Sequence, residues 1–195
     1  MNKSIKIALV LISIIINLET LYGQEQIFSK NSIKTGFGIG VSMGNHSHGI
    51  GFVYTIGYQR EIWKDKLRLN PNFSIGNYSS KLLLDAIDQY FNSINIETNL
   101  FYDLIKIKSF SLIIGCGGVI NNSLGLKGTG RFNESNENTY SEYINDYHFG
   151  GYLGTGFRFN SPNGRAAINL IPINLHFGNH DFAEFHAKID LDLKF

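Results

Sequence analysis

From about residue 33 onward the side chains alternate. An apolar residue is followed by a glycine or a polar residue, then by another apolar one, through run after run. In "KTGFGIGVSM", Thr35, Phe37, Ile39, Val41 and Met43 share one face and Gly36, Gly38, Gly40 and Ser42 the other. "IGFVYTIGYQR", "LRLNPNFSIG" and "SINIETNLFYDL" repeat the pattern, Phe101 alone breaking it in the last of these. "FSLIIGCGGVI", "YHFGGYLGTGFRF", "AINLIPINLHF" and "EFHAKIDLDLKF" complete the set. A period of two is the signature of a β-strand with two different faces. Eight such runs predict an all-β chain: an eight-stranded, antiparallel, up-and-down barrel.

Alternation fits either a soluble barrel with an apolar interior or a membrane barrel with an apolar exterior. The second face decides between them. It is glycine-rich in the first and sixth runs (Gly36, Gly38, Gly40; Gly150, Gly154, Gly156) and elsewhere carries Arg68, Glu97, Arg158, Lys188, Asp190 and Asp192. Opposite charges of this kind pair well inside a barrel too narrow to be an open pore. The face bearing Phe, Tyr, Leu and Ile then meets lipid. The connections agree: "EIWKD", "KIK" and "SPNG" are short, whereas "SSKLLLDAIDQYF" and "LGLKGTGRFNESNENTYSEYINDY" are longer and mostly polar. Short turns at one end and longer loops at the other are the asymmetry of a transmembrane barrel with periplasmic turns and extracellular loops.

The N-terminus supplies an export route. Lys3 and Lys6 precede an apolar run, Ile7 to Leu18, and then Leu21 and Gly23 stand where a signal peptidase requires its recognition residues. The run is shorter than the roughly 20 residues of a membrane-spanning helix. The expected division is therefore a signal peptide at 1–23, a periplasmic segment at 24–33 and the barrel at 34–195. Cys116, the only cysteine, excludes an internal disulfide and lies far from any site for an N-terminal lipid anchor. With 17 basic and 16 acidic side chains the chain shows no electrostatic footprint for nucleic acid.

The closing residues carry a resemblance. "KIDLDLKF", with Ile189, Leu191, Leu193 and a final Phe195, resembles the C-terminal signal by which outer-membrane β-barrels of Gram-negative bacteria are recognised by their insertion machinery. The stretch 34–195 resembles the small OmpA-like and OmpX-like barrels. That resemblance implies a monomer in the outer membrane, surrounded by lipid and lipopolysaccharide, that is neither an enzyme nor dependent on a cofactor. The long loop, 123–146, with Glu134, Glu137, Glu142 and Asp146, is the place for a surface partner.

Two alternatives accompany this reading. The first is a lipid-modifying or metal-dependent enzyme at the outer rim, to which the topology assigns all six histidines. There His46, His48, His148, His176, His180 and His186 lie near Asp181 and Glu184, and imidazoles with carboxylates can bind a transition metal or act as base and orienter. Small lipid A deacylase barrels use a His-x-Ser-Asn pattern that neither "NHSHG" nor "HFGN" matches, and a triad of Ser141, Glu142 and His148 is only one selection from a loop. No catalytic residue or metal ligand is assigned on this basis. The second alternative is a soluble periplasmic barrel with an apolar ligand. Three local features remain to be placed. Pro71 and Pro172 fall within strands; the phase of the seventh run slips, as a β-bulge near Pro172 would explain; and Leu83, Ile87, Tyr90 and Phe91 have a spacing that also suits a short helix.

Overall fold

Each alternating run becomes a strand, and each strand pairs with the next. The computed structural model describes residues 30–44, 48–63, 66–80, 89–128 and 141–195. The strands are β1 (Asn31–Met43), β2 (His48–Trp63), β3 (Leu67–Ser79), β4 (Gln89–Ile107), β5 (Phe110–Gly128), β6 (Ser141–Asn160), β7 (Ala166–Gly178) and β8 (Ala183–Lys194). All neighbours are antiparallel, and β8 returns to pair with β1, closing the barrel. The proposed signal peptide, residues 24–29 and His46 lie outside the described residues, as do Leu83, Ile87, Glu134 and Glu137.

The faces divide as the alternation requires. Phe37, Ile39, Phe52, Tyr54, Ile56, Ile96, Ile120, Phe185 and Ile189 point outward, whereas Lys34, Arg68, Glu97, Asn99, Arg158, Asp190 and Asp192 are buried inside. This inverts the arrangement of a soluble protein. Aromatic side chains mark both ends of the outer surface: Tyr58, Trp63, Phe159 and Phe195 at one end, Tyr90, Tyr147, Phe149 and Phe177 at the other. Such girdles are characteristic of barrels that cross a bilayer.

The interior is filled by a trade of glycine against large side chains. A Cβ on Gly76 or Gly51 would overlap the inward ring of Tyr78, one on Gly115 the ring of Phe101, and one on Gly154 the hydroxyl end of Tyr152. Phe101 breaks the alternation in the sequence because it is one of these inward rings. It meets Tyr152 edge-on at 5.9 Å, with Ile113 and Ile171 beside them, while Tyr78 stacks on Phe91 at 5.3 Å.

The two prolines are accommodated differently. Pro71 keeps its register with Thr98 on β4, while the pairing of β3 with β2 skips from Gly57↔Asn72 to Arg60↔Leu69 without a shift. Its missing N–H therefore interrupts one ladder only locally. Around Pro172 there is a bulge: Ile171 pairs with Lys188 but Asn174 with His186, so β7 holds one extra residue. Ile171 consequently points inward, Pro172 and Ile173 both outward, and Asn174 inward again. The phase slip seen in the sequence is this bulge.

Several boundaries move. β1 starts at Asn31, "EIWKD" contributes Glu61, Ile62 and Trp63 to β2, and Tyr90 and Phe91 belong to β4. The largest correction concerns the long loop. Leu124–Gly128 extends β5 and Ser141–Tyr147 extends β6, the two paired throughout as Gly128↔Ser141 to Asn122↔Tyr147. A polar strand above a membrane has no lipid to enforce alternation, so its sequence looked like a loop. The turns at the opposite end are tight: Gly164 N–H donates to the Ser161 carbonyl at 2.9 Å, with Pro162 at the second position of the turn.

We expect Gly51→Val to fail where an outward substitution succeeds. Its added carbons meet both the Asn77 carbonyl and the Tyr78 ring, and overpacking of this kind costs about 1–3 kcal/mol. In detergent micelles its urea midpoint should fall clearly below that of the parent, while Phe52→Leu stays near it; equal midpoints would contradict the packing described.

Candidate functional site

The lumen is where the chain concentrates its chemistry. At the end with the short turns, Arg68 and Asp103 form an ion pair at 2.6 Å, and Arg158 pairs with Asp192 while also donating to Asn169 at 2.9 Å. Lys34 lies 3.1 Å from Asp190, which Lys188 approaches at 3.8 Å, and Lys194 lies 3.6 Å from Glu61. Lys34 also stands over the ring of Phe101, 5.0 Å from its centre. Charged groups removed from water need a partner of opposite sign, and each of these has one within 4 Å.

Past the aromatic layer the character changes. Glu97 and Glu184 are fully buried, yet the only basic side chain within 4 Å of either, among the described residues, is His176. Its Nε2 lies 3.3 Å from Glu97 and its Nδ1 3.4 Å from Glu184. Ser74 and Asn99 donate to Glu97 at 3.1 and 2.7 Å, and Asn95 donates to Glu184 at 2.9 Å. Asn95 is itself held by Asn121 at 2.6 Å. The ring of His186 packs against that of His176, 4.9 Å between centres, and neither of its nitrogens has a partner among the described residues.

The histidines assigned to the rim thus occupy different levels. His176, Glu184 and His186 are inside the lumen. His148 lies above them, stacked on Phe182 at 4.7 Å, with His180 at 6.1 Å and the Asn179 carbonyl 3.1 Å from its Nδ1. His180 and Asp181 are exposed, both at φ 55, in the turn that joins β7 to β8. That turn closes through Phe182 N–H to the Asn179 carbonyl at 3.3 Å, and His and Asp are among the residue types that adopt this left-handed backbone most readily. His48 is exposed at the start of β2. Ser141 begins β6, opposite Gly128 on β5, and Glu142 is exposed, whereas His148 is buried.

No protein-family model matches the chain, and no curated protein matches it in sequence. Solved structures do match in fold. Neisserial surface protein A aligns with TM-score 0.59 at 11% identity, over 85% of this chain and 97% of that one. Ail, the attachment invasion locus protein of Yersinia pestis, aligns with TM-score 0.55 at 13% identity, over 87% of this chain and all of that one, 100%. Both are eight-stranded outer-membrane β-barrels. This chain has their fold.

For a barrel of this kind the inward residues are readable by parity. Arg68, Glu97, Arg158, Lys188, Asp190 and Asp192, grouped from the sequence as lumen charges, are all buried inside. Lys34 shares parity with Gly36, and Asp103 with Glu97 and Asn99, so both could have joined them. Glu184 and His186 likewise continue the row of Lys188, Asp190 and Asp192. They were placed at the rim because histidines at a strand end read as loop residues. Ile189, Leu191 and Leu193 form the outward row of β8, and Phe195, exposed just past its end, donates its N–H to the Asn31 carbonyl at 3.0 Å.

Removing one partner of a buried pair should cost far more than removing both. Arg158→Met leaves Asp192 uncompensated, a loss of about 3–5 kcal/mol for a buried charge. Adding Asp192→Asn should recover most of it, as read from urea midpoints in micelles. A double variant as unstable as the single one would show that the pair is not what holds this level together.

Proposed function

We propose that the chain is an integral outer-membrane β-barrel that is plugged rather than open, and that it acts structurally and through its outer end instead of by catalysis or transport. The observation that carries this is the inverted solvation: an apolar outer surface from Phe37 and Ile39 round to Ile189 and Leu191, with ion pairs and aromatic rings across the interior. Eight strands leave room for side chains and little for a water column. The C-terminal row ending in Phe195 is the segment the insertion machinery would recognise, and the surrounding lipid and lipopolysaccharide are its standing partners.

The outer end offers a specific surface. β6 pairs with β7 only from Gly150 onward and Phe149 is held by Asn179, so over residues 141–148 its second edge has no strand partner among the described residues. Tyr143 and Tyr147 are exposed on this ribbon, 66% and 60%. An open edge with aromatic side chains is a template for adding a strand from another protein. Likeness to a protein named for attachment and invasion supports the same reading.

A gel of the outer-membrane fraction, run with and without boiling, tests the first part. The native barrel should migrate differently from the heated chain and should require detergent for release. Reconstituted in a planar bilayer it should give no steady conductance. Release by osmotic shock without detergent would support a soluble barrel with a ligand, and a stable ohmic step would refute the plug.

A further inference from the structure

We propose that the lumen holds a divalent transition-metal site made by His176, Glu184 and His186, with Glu97 orienting His176. Ligand atoms of the three residues lie within 4.8 Å of one another, and all three side chains are fully buried. Three features of the cluster point to a cation.

The first is charge. Six carboxylates are buried among the described residues, and four of them, Glu61, Asp103, Asp190 and Asp192, have a Lys or Arg within 4 Å. Glu97 and Glu184 share one histidine, and Lys188, the ammonium that acts on Glu97 from beyond contact distance, is nearer to Asp190, so Glu184 has no Lys or Arg of its own within 4 Å. A divalent ion would put a cation in direct contact with Glu184.

The second is the state of the donor atoms. His176 Nδ1 meets the Glu184 carboxylate at 3.4 Å, long for a hydrogen bond, while its Nε2, 3.3 Å from Glu97, has no hydrogen-bond partner among the described residues. A cation between Nδ1 and the Glu184 carboxylate would leave the Nε2 proton to Glu97. A tetrahedral zinc site with bonds of about 2.0–2.1 Å separates its ligand atoms by about 3.3 Å; His176 and Glu184 already stand at 3.4 Å, and the ring of His186, whose ligand atom lies within 4.8 Å of theirs, closes in on binding. The carboxylate–histidine–metal relay is also the common way of fixing the tautomer and orientation of a ligating imidazole.

The third is His186. Both its ring nitrogens lack a partner, as does Glu184 Oε1, although His186 is fully buried. A buried imidazole with neither nitrogen bonded is costly in any site that does not use it. Two imidazoles with one carboxylate suit Zn²⁺ and its borderline neighbours, not Ca²⁺ or Mg²⁺, which take oxygen ligands.

The full mature chain, untagged, is refolded in detergent with Co²⁺ present, and the visible absorption of the bound ion is titrated and then displaced by Zn²⁺. One ion per barrel is expected, with bands of nitrogen–oxygen ligation. His186→Gln and Glu184→Gln should each weaken binding at least tenfold while keeping the heat-shifted migration of a folded barrel; His176→Gln serves if either fails to fold. Glu97→Gln should weaken binding less than the ligand substitutions do. His48→Gln and His180→Gln should change nothing. Absence of saturable binding in the folded parent, or binding that survives His186→Gln and disappears with His48→Gln, would overturn the site, whatever the gel and bilayer measurements show about the barrel itself.

Discussion

The pairing of β1 with β8 is the contact on which the rest of the structure depends. An open sheet in a bilayer would leave a row of N–H and C=O groups without partners, and each would cost several kcal/mol. Closure removes that edge, but it brings two inward rows together. Those of β8 are Glu184, His186, Lys188, Asp190 and Asp192; opposite them on β1 stand Ser42, Gly40, Gly38, Gly36 and Lys34. A Cβ on Gly36 would collide with the Asp190 carboxylate, and one on Gly40 with the Phe185 carbonyl and the His186 side chain. The glycines of the first strand are therefore the complement of the charges on the last. This also explains why a strand whose inward row is largely glycine and the most ionisable strand lie at opposite ends of the sequence.

Volume and charge are then balanced level by level. Near the short turns, arginines and lysines neutralise aspartates and one glutamate directly. In the middle, Phe101, Ile113, Tyr152 and Ile171 form an apolar layer that separates the two polar regions. Beyond it, amides take over: Asn121 holds Asn95, Asn95 holds Glu184, and Asn99 holds Glu97. Amides satisfy carboxylate lone pairs without cancelling their charge. The outer level thus meets its carboxylates with amides and one histidine where the inner level uses arginine and lysine.

The fold was legible because the physical rule that made it is a period of two. Lipid on one side and a crowded lumen on the other constrain every residue of a spanning strand, and a span needs only about 9–11 residues. The same rule explains where legibility ended. β4, β5 and β6 run for 19, 19 and 20 residues, well past that length, and in their outer parts polar residues such as Asn92, Asn122 and Asn145 interrupt the apolar alternation. The ribbon of Leu124–Gly128 with Ser141–Tyr147 accordingly read as a loop. Parity sufficed for Arg68 or Asp192, but His176 lies beyond a bulge that resets the phase of β7. Its inward direction follows only once the extra residue at Pro172 has been located.

The bulge connects these observations. Without the extra residue between Ile171 and Asn174, every position of β7 on its outer side would change face. Asn174 and His176 would turn toward lipid, while Ile173 and Leu175 entered the lumen. The bulge therefore lets one strand give Ala167, Asn169 and Ile171 to the inner levels and Asn174 and His176 to the outer one, keeping apolar residues outside throughout. Proline is tolerated there because a bulge already gives up a ladder hydrogen bond. The strand thus keeps both an unbroken lipid surface and a histidine facing two glutamates.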